Sequence, residues 1–139
     1  HGDGHPCEII DILPGDAYDF HTQIKIADRY EKDNEELSIT NGYDTPFLLH
    51  EGGVSLYHAQ SGRSMDITSD ASSIVMYSAN GFDEGLCLNQ GRKGYPYSFL
   101  ALELQSFPNA VNVMADSDPC FFDPKHPFHQ MTTYRFTYK

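Results

Sequence analysis

Along the chain, apolar side chains alternate with polar ones in short runs, broken about every ten residues by Gly, Pro, Asn, Asp or Ser. No segment repeats apolar residues at i, i+3, i+4 and i+7 over three turns, so the pattern offers no long amphipathic helix. Strands are predicted instead at 20–26, 36–40, 54–57, 73–77, 97–103 and 134–138, all rich in β-branched or aromatic residues. At 36–40, Leu37 and Ile39 share one face while Ser38 and Thr40 share the other. Turn chemistry separates these runs at Leu13-Pro-Gly-Asp16, Asn41-Gly42, Ser61-Gly62, Asn80-Gly81 and 89–94. Such spacing predicts an all-β chain, an antiparallel β-sandwich of jelly-roll type, folded as one domain over 1–139. From Phe107 the texture changes to a segment with four Pro and three acidic residues. Residues 105–139 are therefore expected to form a long irregular connection and a terminal strand, and connections of that length are often functional. The closing MTTYRFTYK alternates cleanly, as an edge strand does when it pairs within its domain or adds to a neighbour's sheet.

Charge narrows the partners. Nine Lys+Arg stand against 20 Asp+Glu, a formal charge of −11. That balance excludes the basic footprint of a nucleic-acid binder and disfavours an anionic membrane surface. No run reaches the roughly 18 apolar residues of a membrane span, so no membrane insertion is expected. The chain opens on His, without a basic or apolar leader, which reads as a mature terminus left by signal cleavage and hence as a secreted, extracellular protein. Three cysteines, Cys7, Cys87 and Cys120, are widely spaced with no CxxC, and in an oxidising compartment two of them are expected to form a disulfide.

Several stretches follow one another in a familiar order. The alternating run at 20–26 leads to Asp28-Arg-Tyr-Glu-Lys-Asp33, then Glu36-Leu-Ser-Ile-Thr-Asn-Gly42 and Thr45-Pro-Phe-Leu-Leu49. Further on come Ile74-Val-Met-Tyr-Ser78 and Gly94-Tyr-Pro-Tyr-Ser-Phe99. In this order residues 15–104 resemble a CUB-like domain, an extracellular jelly-roll module, of the divergent kind found in invertebrate secreted proteins. The resemblance implies a non-catalytic recognition module and, in many members, a calcium ion held by acidic residues at one end of the sandwich. Glu31, Asp33 and Asp83 are the candidate calcium ligands, since calcium takes several hard oxygens from converging loops.

Seven histidines suggest a different metal. An N-terminal His offers an amine and a ring nitrogen in one chelate, and a second His completes a nitrogen set suited to copper. The opening His-Gly resembles that of the lytic polysaccharide monooxygenases, secreted β-sandwich enzymes with a histidine brace. That resemblance implies His1 as the brace, His58, His126 or His129 as its partner, and Phe128, Tyr134 or Phe136 near the axial position. A non-catalytic copper or zinc site would draw on His1, His5, His126 and His129. Cys120, His126, His129 and Met131 resemble a blue-copper loop, but their spacing and two intervening prolines favour a disulfide for Cys120.

Hydrolytic motifs are missing: there is no G-x-S-x-G, H-E-x-x-H, P-loop or G-x-G-x-x-G. The adjacent pairs Glu35-Glu36 and Asp83-Glu84 would face opposite ways on strands and cannot flank one bond. Aromatic residues cluster near turns, where core packing competes with ligand contact. Tyr43, Tyr95, Phe121, Phe122 and Phe128 are the candidates for contact with a protein or glycan. The sequence thus predicts a secreted binding or assembly module without catalytic activity. It would engage its partner through loops at 28–34 and 80–84 and the aromatic loop 121–129. The alternative is a copper-dependent oxidative enzyme with an N-terminal histidine brace, and a third reading is self-association through the terminal strand.

Overall fold

The computed structural model describes residues 9–31, 33–50, 53–83, 85–114 and 120–138. In chain order the elements are α1 (Ile26–Arg29), α2 (Glu35–Thr40), β1 (Asp44–Leu48), β2 (Val54–His58), β3 (Arg63–Ser69) and β4 (Ser73–Tyr77). A 3-10 turn (Asn89–Gly91), β5 (Ala101–Gln105), α3 (Ala110–Val113) and β6 (Thr132–Tyr138) follow. The strands form two antiparallel sheets of three, β1-β4-β5 and β2-β3-β6, and no described helix exceeds six residues. The chain is all-β, and no helix among the described residues is long and apolar enough to cross a membrane.

Two compact units are present: residues 46–75 with 103–138, and residues 9–45 with 76–102. The first contains the sheet β2-β3-β6. Its hairpin closes where the amides of Ser61 and Gly62 both donate to the His58 carbonyl, at 3.2 and 3.0 Å. Gly62 supplies the φ of +68° that the turn needs. Strand β6 pairs with β3 along its length, from Arg63 opposite Tyr138 to Ser69 opposite Thr132. The terminal run predicted as a strand therefore pairs within its own chain. This register puts Val54, Leu56, Met65, Ile67, Tyr134 and Phe136 on one face and Ser55, Ser64, Asp66, Arg135 and Thr137 on the other. Among the described residues of this unit, the buried apolar ones are Ile67, Ala71, Ile74, Val75, Phe107 and Ala110.

The second unit is organised around Tyr43. Its hydroxyl donates to the Ala17 carbonyl at 2.8 Å, and the rings of Tyr18, Phe20 and Tyr30 meet it edge-on at 5.6 to 6.3 Å between centroids. Its backbone is held by Ser78, whose N–H donates to the Tyr43 carbonyl at 2.9 Å and whose Oγ accepts from the Tyr43 N–H at 3.0 Å. Gly42, beside it, has φ +146°, and a Cβ there would lie 2.7 Å from the Ser78 Oγ and 2.9 Å from the Asn80 Cβ.

Two predicted strands belong to this unit and neither forms. Residues 20–25 lie in a loop gathered around Asp19 and Ile26 opens α1; the Asp19 carboxylate accepts from the amides of Gly15 and His21, while Arg29 donates to both the Asp19 carbonyl and its side chain. Residues 36–40 lie in helix α2. Asn34 caps it by accepting from the Leu37 N–H at 3.1 Å, Glu35 and Glu36 occupy its first turn, and Asn41 ends it in the left-handed conformation. Strand β5 begins at Ala101 rather than at Tyr97, because Tyr97 takes φ +62° and bends the chain there. Strand β3 was missed altogether, its Arg-Ser-Met-Asp-Ile-Thr-Ser composition being too polar to register as a strand.

Candidate functional site

A groove forms in the first unit where the Pro- and Phe-rich connection folds back on residues 70–72. The loop is built on a tight turn: Asp123 Oδ1 accepts from the amides of Lys125 and His126 at 2.7 and 2.8 Å. Pro124 and Pro127 sit inside and just after that turn and restrict its backbone. The loop's far end is anchored twice. Gln130 Nε2 donates to the Leu104 carbonyl at 3.1 Å, and the Met131 N–H donates to Asp70 Oδ1 at 2.7 Å.

The resulting cavity has a volume of about 240 Å³ and is lined by Asp70, Ala71, Ser72, Ser106, Phe121, Phe122, His126, Pro127, Phe128, His129 and Gln130. Phe122 and Phe128 lie tilted against each other, 6.0 Å between centroids, and both are exposed, at 66% and 56%. Two Asp–His pairs border these rings. His126 Nδ1 is 3.2 Å from Asp123 Oδ1, and His129 Nδ1 is 3.8 Å from Asp70 Oδ2. The N–H donors of His126 and Lys125 hold the Asp123 carboxyl below the usual carboxylate range. The His126 imidazole, 82% exposed, keeps Nδ1 turned to Asp123.

A different arrangement occurs on β5. Glu103 sits at the strand's centre, exposed between half-buried Leu102 and Leu104. The other described carboxylates of this unit are engaged: Asp66 with Ser55, Asp70 with the Met131 amide, Asp123 with its turn. Among the described residues nothing hydrogen-bonds or ion-pairs with Glu103. Its carboxylate stands exposed on a regular strand.

The residues singled out from sequence are distributed unevenly. Phe121, Phe122, Phe128, His126 and His129 come together in the groove. Tyr43 is only 1% exposed and serves as a core residue, whereas Tyr95 is 56% exposed and lies outside the groove. Glu31, Asp33 and Asp83 are all exposed, and Asp83 accepts from the Gly85 amide at 2.8 Å. No three His, Cys, Asp or Glu side chains come together as a metal site among the described residues. His1 and His5, and with them the proposed brace, lie outside the described residues, while His58 is bound to Ser61 in the hairpin turn at 2.7 Å. The expected disulfide is corrected: no disulfide forms among the described residues, and Cys7 lies outside them. Sequence reasoning passed over Glu103 because it closed an apolar run. The alternation Ala-Leu-Glu-Leu-Gln was the signal that set it apart.

No protein-family model matches this chain. Curated relatives do. The chain is 27% identical over 138 residues to galactose mutarotase of Bos taurus, covering 95% of this chain and 38% of that protein. It is 29% identical over 133 residues to galactose mutarotase of Sus scrofa, covering 90% of this chain and 36% of that protein. Among solved structures, galactose 1-epimerase from Lactobacillus acidophilus NCFM superposes with a TM-score of 0.70 at 19% identity, over 99% of this chain and 40% of that one. The chain thus spans less than two fifths of the length of the curated relatives it matches.

These matches correct the two resemblances drawn from sequence, to CUB-like domains and to the histidine-brace monooxygenases. Turn spacing and one-sided alternation are shared by many β-sandwiches, and His-Gly is only two residues, so neither pattern discriminates between families. The expectation of a non-catalytic module contacting a protein or glycan, with self-association or copper oxidation as alternatives, is corrected with them, because the matched proteins are sugar-processing enzymes rather than binding modules for a protein partner.

Proposed function

We propose that this chain supplies part of an aldose 1-epimerase, which interconverts the α and β forms of a free hexopyranose such as galactose. The observation that carries this reading is the match to galactose mutarotases along nearly the whole chain, and the fold likeness to a galactose 1-epimerase supports it. In this reading the two sheets are parts of a β-sandwich.

The chemistry needs a base that takes the proton of the anomeric hydroxyl and an acid that protonates the ring oxygen. The C1–O5 bond then opens to the aldehyde, C1 turns, and the ring closes on the opposite face with both protons returned. No atoms or electrons are gained or lost. In the first unit Glu103 is the described carboxylate that makes no hydrogen bond or ion pair, and it is assigned the role of the base, whereas Asp66, Asp70 and Asp123 each hold part of the fold.

Polarimetry of freshly dissolved α-D-galactose tests the proposal. The protein carrying this sequence should speed the approach to the equilibrium rotation in proportion to its concentration. Glu103→Gln should slow it by about 100-fold or more. A rate equal to that of buffer alone would overturn the reading.

A further inference from the structure

We propose that the groove formed by Phe122, Phe128, Asp70, His126 and His129 is a second hexose-binding subsite, separate from Glu103. This inference rests on the carbohydrate reading above but not on the catalytic role given to Glu103, which does not line the groove.

Size, surface and charge agree on the ligand. A volume of about 240 Å³ equals roughly eight waters, the scale of one pyranose with its hydroxyls. A pyranose has an apolar face of C–H groups and a rim of hydroxyls. Phe122 and Phe128 have no polar atom of their own and are more than half exposed, so they suit the C–H face. The rim of the groove supplies acceptors. Asp70 gives Oδ1 to the Met131 amide and keeps Oδ2 beside His129, and the exposed His126 ring, turned to Asp123 through Nδ1, completes the polar border. Acceptors of this kind take hydrogen bonds from hydroxyl donors. With Asp70 and Asp123 bordering the groove and a chain charge of −11, a neutral polyol fits and an anion does not.

The groove is also fixed in place. The C-terminal end of its loop is tied to β5 through Gln130 and to residue 70 through Met131, and the Asp123 turn that precedes them closes on itself. A preorganised loop loses little freedom when a ligand settles on it.

The test is an NMR titration with methyl β-D-galactoside, whose locked anomeric centre cannot open and so is not consumed. Ring signals of Phe122, Phe128 and His129 and amides of residues 120–131 should shift saturably up to roughly 10 mM, enough to fill a millimolar site. Glu103→Gln should leave those shifts in place. The double variant Phe122→Ala, Phe128→Ala should bind at least about tenfold more weakly, and because both rings are exposed its remaining spectrum should stay dispersed. His129→Gln, which keeps the backbone intact, should weaken binding in the same direction. An absence of saturable shifts in the loop, or unchanged binding in the double variant, would overturn the subsite. Loop shifts without any acceleration of mutarotation would support the subsite and remove the catalytic reading. Acceleration without loop shifts would do the reverse.

Discussion

Replacing Tyr43 with Phe removes one oxygen from the centre of the second unit and leaves the ring packing intact. That oxygen donates to the Ala17 carbonyl at 2.8 Å, and both residues are essentially sealed from solvent. The variant strands a buried carbonyl, at a cost of about 1–3 kcal/mol, or a fall in Tm of about 3–10 °C for a chain of this size. Alkali then distinguishes this account from a general packing defect. Burial, reinforced by the charge of Glu31, pushes the Tyr43 hydroxyl up from 10.0 to about 12 in the folded protein. A raised folded value means the stabilisation is fully present below pH 10 and is lost as the pH climbs toward 12, by roughly 3 kcal/mol over the interval. Tyr43→Phe has no proton to lose there. The gap between the two proteins in urea melts, followed by far-UV circular dichroism, should be widest near neutral pH and close by about pH 12. Parallel curves from pH 9 to 12, or a variant as stable as the parent at pH 7, would refute the reasoning.

The remaining expectations concern other parts of the chain. The Gly15 amide, with the ring and amide of His21, holds the Asp19 carboxyl down at about 2 in the folded protein against an ordinary 3.8. Its stabilisation is present above pH 4 and is lost as the pH falls toward 2, so Asp19→Asn should flatten that stretch of the acid unfolding curve. Gly42→Ala should destabilise by about 1–3 kcal/mol in thermal melts, because the new methyl meets Ser78 and Asn80 at a φ unfavourable to it. Asn34→Ala should cost about 1 kcal/mol through loss of the α2 cap, visible as faster amide exchange in residues 35–40. Glu103→Gln should keep the parental urea midpoint, since its side chain makes no hydrogen bond or ion pair among the described residues, even as polarimetry shows its loss of rate.

The strand at 73–77 was legible as an apolar run buried on both faces, and those at 54–57 and 134–138 by their alternation and their β-branched and aromatic residues, although β6 stays largely exposed. Residues 20–26 and 36–40 alternate too, but their backbones are committed locally, to Asp19 and to the Asn34 cap. Asn34-Glu35-Glu36 carries a helix-start signal, a cap residue followed by acidic residues, that the strand reading of 36–40 did not take into account. The aromatic loop could be read because three Phe among prolines must either pack or offer a surface. That His126 and His129 would join those rings, and that Asp70 would come to them from residues far away in sequence, depends on long-range pairing that no local pattern encodes. That Glu103 stands without a hydrogen-bond or ion-pair partner among the described residues depends on the same long-range packing.

The placement of β3 has a consequence for how the first unit assembles in time. On one side it meets β2 across a four-residue turn, a hairpin that closes in about microseconds. On the other side its partners on β6 lie between 63 and 75 residues further along the chain. At a synthesis rate of roughly 5–20 residues per second, several seconds pass before that partner leaves the ribosome. During this interval the outer edge of β3, with Met65 and Ile67 on its apolar face, is open to any extended segment nearby. Arrival of Thr132–Tyr138 closes that window, so folding yield should respond to elongation speed through this stretch more than to the stability of the finished sheet.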